Sequence, residues 1–163
     1  MIIESIRKRR SFRTYKSDTV SDELINEVIE AGQFAPSAFG RGAIEFVVLK
    51  NQEIKNEIFT VVDQEYIKEA PVLIIPVATD QAALPVQDLS VASAQMFLQA
   101  SALGLGSVWK NIIPAWEEKL KEILGVPKEF RIINIVPLGF PNEEKPEHGD
   151  EQFKLEKIHQ EKW

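Results

Sequence analysis

Residues 87–109 read QDLSVASAQMFLQASALGLGSVW. Alanine and serine recur on several faces of Gln87–Leu103, with Met96, Phe97 and Leu98 in the middle. A helix that is small and apolar nearly all round is a buried one, so this stretch predicts a long interior helix. Gly104 stands where a helix ends with a left-handed C′ residue. Asp88 falls in the first turn, where a carboxylate complements the helix dipole. Gly104-Leu105-Gly106-Ser107 has the opening spacing of a dinucleotide-binding turn. It follows a helix instead of a strand, however, and Trp109 occupies the third glycine position. On residue types alone it is a helix stop and a tight turn.

Before this segment, Ile2, Ile3 and Ile6 share one helical face ahead of a run of arginines. Ser21 predicts an N-cap, with Asp22 and Glu23 in the first turn and Leu24, Ile25, Val28 and Ile29 as the apolar stripe. That helix should end near Gly32–Ala35, because Pro36 disfavours helical geometry in the residue before it. Pro36-Ser37-Ala38-Phe39-Gly40-Arg41-Gly42 predicts a loop whose small residues let backbone approach a ligand. Glu45–Lys50 reads as a strand and Asn51 as the cap of a helix striped by Ile54, Ile58, Val61 and Val62. Pro71–Thr79 is a short apolar run, hence a buried strand, in which Pro76 implies an edge or a bulge. Beyond residue 109, Pro114 opens a helix that Gly125 closes, and Arg131–Leu138 is a third strand. The tail from Phe153 carries Leu155, Ile158 and Trp163 as apolar anchors. Helices around three or four strands predict an α/β or α+β sandwich in a single domain, residues 1–163.

The chain has 163 residues, of which 44% are hydrophobic and 27% charged, a globular composition. It has no cysteine, which excludes disulfides, thiolate nucleophiles, zinc ribbons and Fe–S clusters. Its two histidines, His148 and His159, are too few for a multi-histidine metal centre. Both lie in the tail, leaving Ser11, Ser37 and Ser107 without a base, and neither is expected to govern the chemistry. No apolar run approaches the roughly 20 residues of a membrane span. Residues 1–6 lack the order of a signal peptide, so a cytoplasmic protein is the expectation.

Charge is unevenly spread. Residues 1–16 hold six basic residues (Arg7, Lys8, Arg9, Arg10, Arg13, Lys16) against Glu4, while the remainder holds thirteen basic against twenty-four acidic. An acidic body with one compact basic segment argues against a broad nucleic-acid footprint and suits one local anion, such as a phosphate. Arginine forks and the Ser11 hydroxyl can hold phosphate oxygens. A solvated basic turn has the same composition, and residue types do not separate the two. With the helix ended before Ser11, an extended segment points Arg9, Ser11 and Arg13 to one side.

Several segments, taken in order, resemble the FMN-dependent nitroreductase family over almost the whole chain. They are Arg9-Arg10-Ser11-Phe12-Arg13, Ala35-Pro36-Ser37-Ala38, Asp88 through Ala102, and Leu103-Gly104-Leu105-Gly106-Ser107-Val108-Trp109. Leu124-Gly125-Val126-Pro127, Leu138-Gly139-Phe140-Pro141 and Ile158-His159 to Trp163 complete the series. The resemblance implies an α+β fold, a three-layer α/β/α sandwich with a mainly antiparallel sheet wrapped by helices. It implies a homodimer with two FMN sites between the subunits. It also implies hydride transfer from NADH or NADPH to the flavin, then passage of two electrons to a nitroaromatic, quinone or similar small electrophile in ping-pong order. No side chain need be catalytic, because the flavin carries the chemistry. By match to the family motifs, Arg9, Arg10, Ser11 and Arg13 would hold the FMN phosphate and the pyrimidine edge. Pro36, Ser37 and Ala38 would reach the partner's flavin. Leu105, Gly106 and Ser107 would lie along the ring, and Lys145 would stand near the phosphate.

The chain departs from the family where the loop commonly continues with Gly-Asn, a glutamine and Pro-Trp. Here Phe39-Gly40-Arg41-Gly42-Ala43-Ile44 follows. Gln152 stands where the family often has a tail arginine. These departures keep a second reading open: a flavin- or phosphate-ligand-binding protein of the same fold with little or no turnover.

Overall fold

The structure, a computed structural model, describes residues 2–40 and 43–163. In chain order its helices are α1 (Glu4–Lys8), α2 (Asp22–Gln33), α3 (Gln52–Val62), α4 (Glu65–Glu69), α5 (Pro85–Ala102) and α6 (Pro114–Leu124). Its strands are β1 (Ile44–Leu49), β2 (Val72–Thr79), β3 (Gly106–Ser107), β4 (Lys110–Asn111), β5 (Phe130–Arg131) and β6 (Asn134–Gly139). The sheet order is β1-β2-β6-β3, with β4 also on β6 and β5 also on β2, and every strand pair is antiparallel.

Strand β2 builds a core on each face. Leu73, Ile75 and Val77 pack with Ile58, Val62, Ile67 and Leu120 from α3, α4 and α6. Val72 and Ile74 pack with Ile25, Val28, Met96 and Ala100 from α2 and α5. This period of two in a strand buried on both sides produces the α+β three-layer sandwich. The caps behave as the sequence predicts. Ser21 Oγ accepts from the Leu24 amide at 3.4 Å, and Asn51 Oδ1 accepts from Glu53 and Ile54 at 2.9 and 3.1 Å. On the α6 side, buried Glu117 accepts from Arg131 Nε at 2.9 Å and from the Ile132 amide at 2.9 Å, pinning the β5–β6 connection to the helix.

Three expectations change. Pro76 lies in a central strand, not at an edge. Its missing N–H is tolerated because the ladder on one side lapses there: β6 pairs with Val72–Ile74, and β5 resumes at Ala78. Pro137 sits at a similar lapse, between Ile135, paired with β4, and Leu138, paired with β3. Second, α5 is buried along one stripe only, Leu89, Ala92, Ser93, Met96 and Ala100, while Val86 and Val91 are 40% and 39% exposed. Its composition is apolar all round, but one chain covers one side. Third, the tail residues Phe153, Leu155, Ile158 and Trp163 are exposed and join neither core.

Candidate functional site

Helix α1 stops at Arg9, whose backbone (φ −58°, ψ 118°) turns the chain from helical into extended geometry. The following segment runs alongside β3: Ser11 bridges Ser107 in parallel fashion, and the Phe12 amide donates to the Ser107 carbonyl at 3.0 Å. The close of α5 places β3 there. Gly104 takes φ 73°, the Gly104 amide donates to Ser101 and the Leu105 amide to Ala100 at 2.8 Å, a Schellman turn. Gly106 permits the approach of the two segments, since a Cβ on it would lie 2.9 Å from Phe12 Cβ. The segment carrying Arg9, Arg10, Ser11 and Arg13 thus runs beside Leu105, Gly106 and Ser107.

The chain beyond β6 straps this segment from the other side. The Asn142 amide donates to Thr14, the Arg13 amide to Glu143 Oε1 at 3.0 Å, and Lys145 Nζ to the Ser11 carbonyl at 2.6 Å. Arg10 donates to the Pro146 carbonyl, and the His148 amide to Arg7 at 2.9 Å. The His148 ring reaches the Arg9 carbonyl at 3.1 Å and Gln152 Oε1 at 2.5 Å. Lys145 thus joins the cluster, though Glu143, 3.1 Å away, partly neutralises it. His148, although in the tail, neighbours Arg9. Gln152 takes part only through His148 and as a wall of the adjoining cavity. That cavity, of about 250 Å³, opens between α1 and the strap and is lined by Ile2, Ile6, Arg7, Arg9, His148 and Phe153, among others.

The charges are distributed tellingly. Arg7 pairs with Asp150 at 2.5 Å and Lys8 with Glu4. Among the described residues, no carboxylate stands within 4 Å of the guanidinium of Arg9, Arg10 or Arg13. The hydrogen bond from the Arg13 amide holds the Glu143 carboxyl below the usual glutamate range, against burial and with help from Lys145. Burial pushes the Tyr66 hydroxyl up, and the Arg13 guanidinium beside it works the other way.

The remaining predicted residues lie elsewhere. Pro36, Ser37 and Ala38 sit at the opposite end of α5, where the Ala38 amide donates to Asp88 Oδ1 at 2.9 Å. At about 1.5 Å per residue, Asp88 and Ala102 are about 21 Å apart along α5. The two groups of residues named from the sequence therefore lie at opposite ends of α5. Arg41 lies outside the described residues. Sequence reasoning missed Asp88 as a loop contact and His148 as a neighbour of Arg9. These pairs are 50 and 139 positions apart, and no local pattern signals either.

Comparison with known proteins gives this arrangement a family. The profile of the Nitroreductase family matches residues 6–69 and 57–140. The chain is 33% identical, over 99% of its length and 98% of the relative's, to an Archaeoglobus fulgidus protein provisionally named NADH dehydrogenase/NAD(P)H nitroreductase. A similarly named protein of Methanothermobacter thermautotrophicus is 35% identical over 99% of this chain and 87% of its own. Among solved structures, an FMN-dependent nitroreductase from Clostridium difficile superposes with a TM-score of 0.92 at 28% identity, covering 99% of this chain and 100% of that one. The chain belongs to the nitroreductase family.

Proposed function

We propose that this enzyme, an FMN-dependent oxidoreductase of one domain spanning residues 1–163, passes two electrons from NADH or NADPH to a small electrophile, a nitroaromatic, quinone or similar acceptor, in ping-pong order. The observation that carries this reading is the set of three guanidinium groups that have no carboxylate partner among the described residues, on a segment laid against strand β3. That donor set fits a phosphate monoester: planar forks and the Ser11 hydroxyl offer charge-assisted hydrogen bonds to a dianion, in a body otherwise acidic. Arg9 and Arg13 would grip the phosphate, with Lys145 at its rim, while Arg10 also holds the strap. By the family resemblance Leu105, Gly106 and Ser107 would border the ring, which would meet the rim of this buried segment, since Phe12 fills the space beside Gly106. Buried Leu105 and Val108 keep water from that side. FMN supplies the two-electron chemistry when bound, so no nucleophile or base is required of the chain.

The same reading makes the protein a homodimer. The Pro36–Ala38 loop and the arginine segment are too far apart to serve one flavin within a chain, but a second copy can supply the loop. The uncovered face of α5, with Val91 39% exposed, and a tail ending in Trp163 at 100% exposure give such a partner apolar surface to cover. No helix among the described residues is long and apolar enough to cross a membrane. The cytoplasm is the compartment we propose, and no nucleic-acid partner is part of this reading.

Stopped-flow mixing of FMN-loaded protein with NADH or NADPH tests the activity. Bleaching of the flavin absorbance, reversed by a quinone or nitroaromatic, is expected. A flavin that binds yet stays oxidised would contradict turnover and leave a binding protein.

A further inference from the structure

We propose that Asp88 is a positioning residue: its carboxylate, fixed in the first turn of α5, sets the backbone that the Pro36–Ala38 loop presents to the flavin site of a second copy. The inference rests on the flavin reading above. Asp88 Oδ1 lies 2.9 Å from the Ala38 amide nitrogen, and the residue is 7% exposed. Among the described residues, no lysine or arginine stands within ion-pair distance of it. A buried carboxylate without a cation is costly unless hydrogen-bonded. The α5 N-terminus and the Ala38 amide together offset that cost.

The geometry of the loop needs such a tie. Phe39, the next residue, takes φ 58° and ψ 18°, the left-handed region where a bulky side chain is uncommon. Backbone of that kind persists where its surroundings over-determine it. Among the described residues, a cavity of about 140 Å³ adjoins the loop, lined by Ala38, Ala43, Thr79, Gln81, Ala82 and Asp88. The Asp88 bond fixes the loop at the wall of that cavity.

Two substitutions separate this role from a helix-dipole role. Asp88→Asn keeps an acceptor oxygen in place and loses the charge. Asp88→Glu keeps the charge and displaces the acceptor by a methylene. FMN titrated into apo wild type and each variant, followed by flavin fluorescence, should show Asp88→Asn within about threefold of wild type and Asp88→Glu weakened about tenfold. Circular dichroism of the apo proteins should show all three folded, and the visible dichroism of the bound flavin should match between wild type and Asp88→Asn. The reverse order, or wild-type affinity in both variants, would overturn the assignment. A wild type that binds no FMN would instead overturn the flavin reading on which it rests.

Discussion

His148 Nε2 lies 3.1 Å from the main-chain oxygen of Arg9, an atom that can only accept, so the ring donates. The contact closes the strap against the segment that carries the arginines, and it fixes the backbone from which the Arg9 fork projects. His148→Ala should weaken FMN by about 1 kcal/mol, close to fivefold in dissociation constant. Titration with FMN checks it, and an unchanged affinity would show that the strap holds without this bond.

Gly106→Ala should disturb both fold and site. The new Cβ would stand 2.9 Å from Phe12 Cβ, where neither the backbone nor Cβ can swing aside. Overpacking of this kind costs about 1–3 kcal/mol. A lower Tm together with weaker FMN binding is expected. Retention of both would mean that the Ser11–Ser107 pairing is easily displaced.

Acid should loosen two carboxylate ties. Burial raises the Glu117 carboxyl, but the hydrogen bonds from Arg131 and the Ile132 amide outweigh it and leave the group below its ordinary range. The Arg13 amide lowers Glu143 in the same sense. A carboxyl depressed in the folded state adds stability above its unfolded pKa, about 4.3, and loses it as pH falls through the folded value. Wild-type Tm should therefore drop below about pH 4.3, and the drop should be shallower in Glu117→Gln and Glu143→Gln. Parallel curves for all three proteins would contradict the assignment. At neutral pH, Glu117→Ala should cost about 1–3 kcal/mol, since it leaves the buried Ile132 amide without its acceptor and breaks the pair with Arg131, while Lys121 keeps Glu118 at 2.9 Å.

Light scattering of the FMN-loaded protein should return twice the chain mass of 18.5 kDa. A monomer that retains FMN would contradict a site shared between copies.

Much of this architecture is legible in short stretches of sequence. Ser21, Asn51, Pro114 and the C′ glycines Gly104 and Gly125 mark helix ends by local chemistry, and a short continuous apolar run marks β2. The arginine segment and Leu105–Ser107 are each recognisable by motif. What escapes is non-local. Nothing near Pro76 reveals that the ladder lapses between β6 and β5. The composition of α5 shows an apolar surface but not whether its own chain or another covers it. Asp88 and His148 act through main-chain atoms of distant residues, Ala38 and Arg9, and a main-chain acceptor or donor leaves no mark on residue type.

Titration of FMN and of riboflavin, which lacks the phosphate, into wild type, Arg9→Ala and Arg13→Ala tests whether the N-terminal arginines clamp the FMN phosphate. A clamp predicts that each substitution weakens FMN by about 1.5–3 kcal/mol, roughly tenfold to a hundredfold, and leaves the already weaker riboflavin binding nearly unchanged. A solvated cluster would lose less than about 1 kcal/mol. Equal losses for the two ligands would place the arginines at the ring or in the fold, and contradict the clamp.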